Sequence, residues 1–159
     1  MIIGDGDIAS VLPDRKDLSF FASGVSNSQE EREWEYRREF LLFLTQDFSK
    51  HIVYFSTLAI FYSDTRYVKH KREMEEYIKE NIPNYTIIRL GNITWGDNPH
   101  TLINYLKAHP EAEIKDEYRY ICGKEELLHW INLIPKWSCE INIPGRRLKV
   151  KEVVKEYCG

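Results

Sequence analysis

Thr57, Tyr67 and Lys71 are the residues of this chain whose types and spacing suit acid–base chemistry. A phenol moves protons readily only when its pKa approaches working pH, and an ammonium one helical turn away pulls it there. Tyr67 and Lys71 stand at i and i+4, so on a helix they share a face, which Met74 and Ile78 continue. Thr57 precedes them and could set a small hydroxyl beside the phenol. A second Tyr-x-x-x-Lys, Tyr120 and Lys124, spans Gly123, which argues against a helix there.

The flanking segments must position these groups. Residues 51–55 form an apolar, β-branched and aromatic run, expected to be a strand buried on both faces and to run into a small-residue loop. Residues 66–80 are expected to be a helix, 85–90 the next strand, and 91–96 the loop at its end. At the start of the chain, a short apolar strand runs into Gly4-x-Gly6-x-x-Ala9, the pattern of a dinucleotide-binding turn. There Gly4 would make the turn, Gly6 would let backbone approach a pyrophosphate, and Ala9 would pack helix on strand. One or two helical turns fit before Pro13, and their N-terminus would offer N–H groups to the anion. Asp5 and Asp7 put negative charge in that loop, although Asp7 could instead cap the helix. A Gly/Asp turn without ligand is the other reading.

Residues 18–22 are the second strand, ending in Ser23 and Gly24. A helix is expected over 28–47, with Ser28 as N-cap and an apolar stripe of Trp34, Phe40, Leu41, Leu44 and Phe48 that suits either a core face or pairing with other helices. In the tail, helices are expected over 100–109, 124–133 and 150–157, with strands at 118–122 and 140–143 and a turn at Pro144-Gly145.

The order of strand, Ser56-Thr57, loop, Tyr67/Lys71 helix and NYTIIRLGNITWG resembles the extended short-chain dehydrogenase/reductases, the NAD-dependent epimerase/dehydratase family. The resemblance implies a truncated α/β chain, a three-layer, Rossmann-like, doubly wound and mostly parallel sheet with a small C-terminal α/β extension. The length fits a single domain over 1–159, which the resemblance divides into a nucleotide-binding core (1–96) and a substrate-lobe-like tail (97–159). The resemblance implies NAD or NADP as cofactor, held by Gly4, Gly6, Asp7, Ile8, Ala22, Ser23, Gly24, Asn92 and Ile93. By the same resemblance Tyr67 is the acid/base. Lys71 lowers the phenol pKa and holds the nicotinamide ribose, and Thr57 orients the substrate oxygen. A sugar nucleotide is the implied substrate, met by Trp95, Arg146 and Arg147. A homodimer through 28–47 and 66–80 is also implied.

The chain departs from that family in several places. FFASGVSNS looks like the family's fourth strand, so the second and third, which read the adenine ribose, are absent between it and the first. No Asn stands between Asn27 and Asn81 to join the family's proton relay, and the loop from Thr57 to Tyr67 is short. A scaffold that kept the fold and lost cofactor binding is therefore the alternative function.

Composition narrows the classes. A net charge of −3, from 22 basic and 25 acidic residues, gives no global pull towards nucleic acid or an anionic membrane. The ten Tyr and four Trp are a surplus of aromatics, suited to a stacking surface, a subunit interface or a small core. Cys122, Cys139 and Cys158 have no CxxC spacing and read as free thiols of a reducing cytoplasm. The histidines show no metal-site spacing, and His70 is expected to be solvated.

Overall fold

The computed structural model describes residues 1–159. Its elements are β1 (Ile2–Ile3), β2 (Leu18–Phe21), α1 (Glu33–Leu44), β3 (His51–Thr57), α2 (Arg66–Asn81), β4 (Tyr85–Leu90), β5 (Asn92–Ile93), α3 (Leu102–Ala108), β6 (Tyr118–Cys122), α4 (Lys124–Asn132), β7 (Cys139–Ile143), β8 (Arg146–Lys149) and α5 (Val150–Tyr157).

The main sheet is wholly parallel, in the order β1-β2-β3-β4-β7. Its strands are apolar on both faces because both faces are covered. On β3, Ile52 and Tyr54 point to one side, where Phe43 of α1 and Met74 and Ile78 of α2 meet them. Val53 and Phe55 point to the other side, where Leu12 and Leu127 and Ile131 of α4 close the core. This is the three-layer, mostly parallel Rossmann-like architecture expected from the sequence. A second sheet, β5-β6-β8, carries the tail, with Ile103, Leu106, Val150 and Val153 packed beneath Ile121.

Three local expectations are corrected. The helix expected over 28–47 begins only at Glu33, and its N-cap position is Arg32 rather than Ser28. Side chains divert the preceding backbone: Asn27 Oδ1 accepts the Gln29 N–H at 3.0 Å, and Glu30 Oε1 accepts the Arg32 N–H at 3.1 Å. The inward face of α1 is Tyr36, Glu39 and Phe43, whereas Trp34, Leu41 and Leu44 are exposed. Finally, 146–149, not read as a strand, is β8, which pairs antiparallel with β6.

No helix is long and apolar enough to cross a membrane. The three cysteines are unbridged, and burial pushes the Cys122 thiol up to about 12.

Candidate active site at the sheet mouth

Helix α2 starts where Thr65 Oγ1 accepts the Val68 N–H at 3.2 Å. From that start, Tyr67, Lys71, Met74 and Ile78 fall on the face turned towards the sheet; the last three are buried and Tyr67 is half-buried. Lys71 is 2% exposed. Its Nζ donates to the Tyr54 hydroxyl at 3.1 Å and to the Phe55 carbonyl at 3.4 Å, and pairs with the Glu39 carboxylate at 3.4 and 3.5 Å. Glu39 is fully buried, accepts the Val25 N–H at 2.6 Å, and receives a short hydrogen bond from the Tyr54 hydroxyl.

Burial opposes the charged form of Glu39, but Lys71, His70 and Tyr54 outweigh it and hold the carboxyl far below the usual range. His70 corrects another expectation: it is 3% exposed, not solvated. Its Nε2 lies 3.2 Å from Glu39 Oε1 without the alignment of a hydrogen bond, so the ring nitrogen has no hydrogen-bond partner. A Cβ on Gly24 would stand 2.8 Å from Lys71 Nζ and 2.9 Å from Glu39 Oε1, so this backbone approaches the ion pair more closely than any side chain would allow.

Tyr67 sits over this network, its ring centroid 5.7 Å from Lys71 Nζ. Its hydroxyl has no hydrogen-bond partner within the chain and is not sealed from solvent. The expected lowering of its pKa is overturned: burial pushes the phenol above its ordinary value, Lys71 pulls the other way, and Glu39 adds to the rise. Thr57 closes β3, and its Oγ1 accepts the Ala59 N–H at 3.1 Å, which starts a 3-10 turn over Leu58–Phe61.

The glycine turn is built differently. Gly4 has φ +123°, and a Cβ there would stand 2.4 Å from the Ala22 carbonyl, so β1 and the end of β2 require glycine. The Ala22 N–H donates to the Ile3 carbonyl, and the Ser23 carbonyl accepts both Arg38 nitrogens at 3.3 Å. Gly6 has no heavy atom within 4 Å of where its Cβ would be. Of the one or two turns that fit before Pro13, a single 3-10 turn forms, Ala9–Val11, and no α-helix. Asp7 therefore caps no helix. Its carboxylate accepts the N–H groups of Asp97 and Asn98, each at 3.0 Å, and its carbonyl accepts the Trp95 indole N–H at 2.8 Å. Ile8 packs against the core.

The remaining candidates are scattered. Asn92 donates to the Tyr120 carbonyl at 3.0 Å, and Ile93 packs against the core. Arg146 pairs with Glu156 at 2.5 Å, and Arg147 stacks on Tyr118 at 3.6 Å. Both arginines sit on the second sheet. A polar cleft of about 180 Å³ opens beside Gly24, lined by Ser26, Asn27, Arg32, Arg38 and His100 among others.

Sequence reasoning missed Glu39, Tyr54 and the second buried cluster, in which Arg89 pairs with Glu75 and Glu140 while Ser56 donates to Glu75 at 2.5 Å. The available signal was register. Tyr54 and Ser56 alternate onto the α2 side of β3, and Glu39 falls between Tyr36 and Phe43 on one helical face.

Several solved structures share this architecture at low sequence identity. The Bordetella bronchiseptica enzyme WbmG in complex with NAD superposes with a TM-score of 0.67 at 13% identity, over 87% of this chain and 55% of its own. The UDP-N-acetylglucosamine 4-epimerase from Methanobrevibacter ruminantium, in complex with UDP-N-acetylmuramic acid, gives 0.68 at 15%, over 95% of this chain and 62% of its own. The dTDP-4-dehydrorhamnose reductase from Bacillus anthracis, in complex with NADP, gives 0.62 at 15%, over 87% and 61%. The fold is the one these enzymes share. The chain spans between 55% and 62% of the length of these three. No family model matches the sequence, and no curated relative does.

A nicotinamide dinucleotide would meet two unlike halves of this mouth. The corner around Lys71 offers the Tyr67 phenol, open at its hydroxyl. The turn from Gly4 to Ala9 offers backbone room at Gly6 but no helix and no side-chain cation, and Asp5 and Asp7 oppose a pyrophosphate there.

Proposed function

We propose that this chain performs oxidoreductase- or epimerase-type chemistry, with NAD or NADP, on a hydroxyl or carbonyl of a sugar nucleotide or a related substrate. The observation that carries this reading is Tyr67: a phenol at the carboxyl end of a parallel sheet, free of internal partners, one turn from a buried ammonium. Solved proteins of the same fold carry NAD, NADP, UDP or a UDP-sugar, which supports the cofactor and substrate class. When bound, a nicotinamide would supply the hydride chemistry.

The chain's own residues have distinct tasks in this reading. Tyr67 passes a proton to or from the substrate oxygen. Lys71 fixes the electrostatics beneath it. Thr57 orients that oxygen once its hydroxyl turns from the Ala59 N–H. Gly4, Gly6, Ile8, Ala22, Ser23 and Gly24 supply the backbone floor for a cofactor, with Asn92 and Ile93 at its nicotinamide end. Asp7, which ties this floor to the loop after β5, would be a cofactor neighbour through its backbone. Trp95, Arg146 and Arg147 would face the substrate, with residues 97–159 as its lobe and 1–96 as the nucleotide-binding core. A homodimer through α1 and α2, in the cytoplasm, completes the proposal.

One observation favours a second reading, a scaffold without turnover. The Asp7 carboxylate fills the N–H groups of Asp97 and Asn98, and β1 ends the sheet where adenosine-reading strands would follow.

Titration of the pure protein with NADH and NADPH, followed by nicotinamide fluorescence, separates the two. Saturable binding that Tyr67→Phe retains, with turnover lost in that variant, is the expected result. Silence at millimolar cofactor from a folded protein would leave the scaffold.

A further inference from the structure

The Glu39 carboxylate lies against the ammonium that would otherwise act on Tyr67 alone. Seen from the Tyr67 ring, the Lys71 ammonium is 5.7 Å away, but that ammonium has both Glu39 oxygens at 3.4 and 3.5 Å. A carboxylate so close cancels much of the field that the ammonium would exert on a phenol further out. Glu39 is itself immobilised, because its oxygens also hold the Tyr54 hydroxyl and the Val25 N–H. The charged and titratable groups facing Tyr67 are Lys71 on its own helix, Glu39 and Tyr36 on α1, and Tyr54 on β3. His70 of α2 lies 3.2 Å from the same carboxylate, and Glu39 offsets part of the pull of Lys71 on the phenol, beside the larger effect of burial.

We propose that Glu39 is a positioning residue that ties the Lys71 ammonium into the interior, so that Tyr67 enters proton transfer as a neutral phenol and donates to a carbonyl oxygen rather than accepting from a hydroxyl. This rests on the role of Tyr67 proposed above and narrows it to the form in which the resting residue enters the reaction. The balance is simple. The phenol O–H bond breaks and the substrate O–H bond forms, the carbonyl carbon takes a hydride from a reduced nicotinamide, and the tyrosinate regains its proton from water. Burial, which pushes the phenol up, acts in the same sense.

The test reads protonation without cofactor. Tyrosinate absorbance is followed against pH in the protein, and the same curve from Tyr67→Phe is subtracted to isolate Tyr67. The expected midpoint lies above 10.0, the ordinary tyrosine value. Glu39→Gln should lower it by about one pH unit, as removal of an adjacent negative charge does. The charge-neutral double variant Glu39→Gln/Lys71→Met should bring it back close to the wild-type value. A midpoint that stays or rises in Glu39→Gln overturns the proposal. Should that variant not fold, the double variant decides. A midpoint near wild type supports cancellation, and one clearly higher means that Lys71 acts on Tyr67 unopposed, which overturns it. Loss of NADH binding would remove the reaction but leave this coupling measurable, so the two failures are told apart.

Discussion

Two corners of one sheet mouth were built by opposite means. Around Lys71, the ends of β2 and β3 and the inner faces of α1 and α2 converge on a buried set of charges: Glu39, Lys71, Tyr54 and His70. Around Gly4, by contrast, a two-residue strand, one 3-10 turn and a carboxylate hold the chain with backbone bonds. The first corner is held by a buried ion pair, and removal of either ion strands the other away from water. The second depends on one left-handed glycine and on Asp7 as a clasp. A buried charge network can therefore stand beside a corner held mainly by backbone.

The strongest way to break the comparison is Lys71→Ala. It leaves the Glu39 carboxylate buried without its ammonium, which should destabilise the fold by about 3–5 kcal/mol. Urea unfolding would measure this. A loss below about 1 kcal/mol, the scale of an exposed pair, would mean that water reaches the network.

Acid should expose the same corner. The folded Glu39 carboxyl is held below its ordinary value of 4.5, with burial opposed by Lys71, His70 and Tyr54. The stability it contributes is fully present above that value and is lost as pH falls below it towards the folded value. Thermal midpoints should therefore fall with acid below pH 4.5 more steeply in the wild type than in Glu39→Gln/Lys71→Met. Parallel curves would put the acid sensitivity elsewhere, with the Glu75–Arg89–Glu140 cluster the next place to look.

Much of this architecture was legible in the chain, and the reason is periodicity. The boundaries of β4, 85–90, and of α5, 150–157, follow from apolar patterning alone, and the shared face of Tyr67, Lys71, Met74 and Ile78 follows from helical spacing. What was not legible depended on side chains competing with the backbone. Asn27 and Glu30 delay α1, and no hydrophobic pattern reports that. The direction of the Tyr67 shift failed for a related reason. Lys71 was visible four residues on, but its counter-charge comes from a helix 32 positions away in sequence. A histidine beside a lysine is usually solvated; the packing of α2 on α1 instead buries His70 against Tyr36, with ring centroids 4.7 Å apart.

At the glycine corner the effects should be smaller. Gly4→Ala forces a side chain into left-handed backbone at φ +123°, with its Cβ 2.4 Å from the Ala22 carbonyl. A loss of about 1–3 kcal/mol is expected in the same unfolding assay. Asp7→Ala should come next, at roughly 1–2 kcal/mol, because two N–H groups of the 95–98 loop lose a charged acceptor. Faster amide exchange at Asp97 and Asn98 would locate that loss; unchanged exchange there would mean that the loop holds itself.

Gly6→Ala should do the least to the fold and the most to distinguish the two readings of this corner. No heavy atom lies within 4 Å of the Cβ it would add, so stability should stay within about 0.5 kcal/mol of wild type. The fold thus gives no reason for glycine at this position, in contrast to Gly4, where the Ala22 carbonyl does. A ligand backed closely against the turn would give one, because a methyl group there would stand between it and the backbone N–H groups. If Gly6→Ala keeps its unfolding curve and weakens NADH binding several-fold, the turn still serves a cofactor despite its missing helix. If both measurements are unchanged, Gly6 faces only water, and whatever binds at the mouth is held by the Tyr67 corner alone.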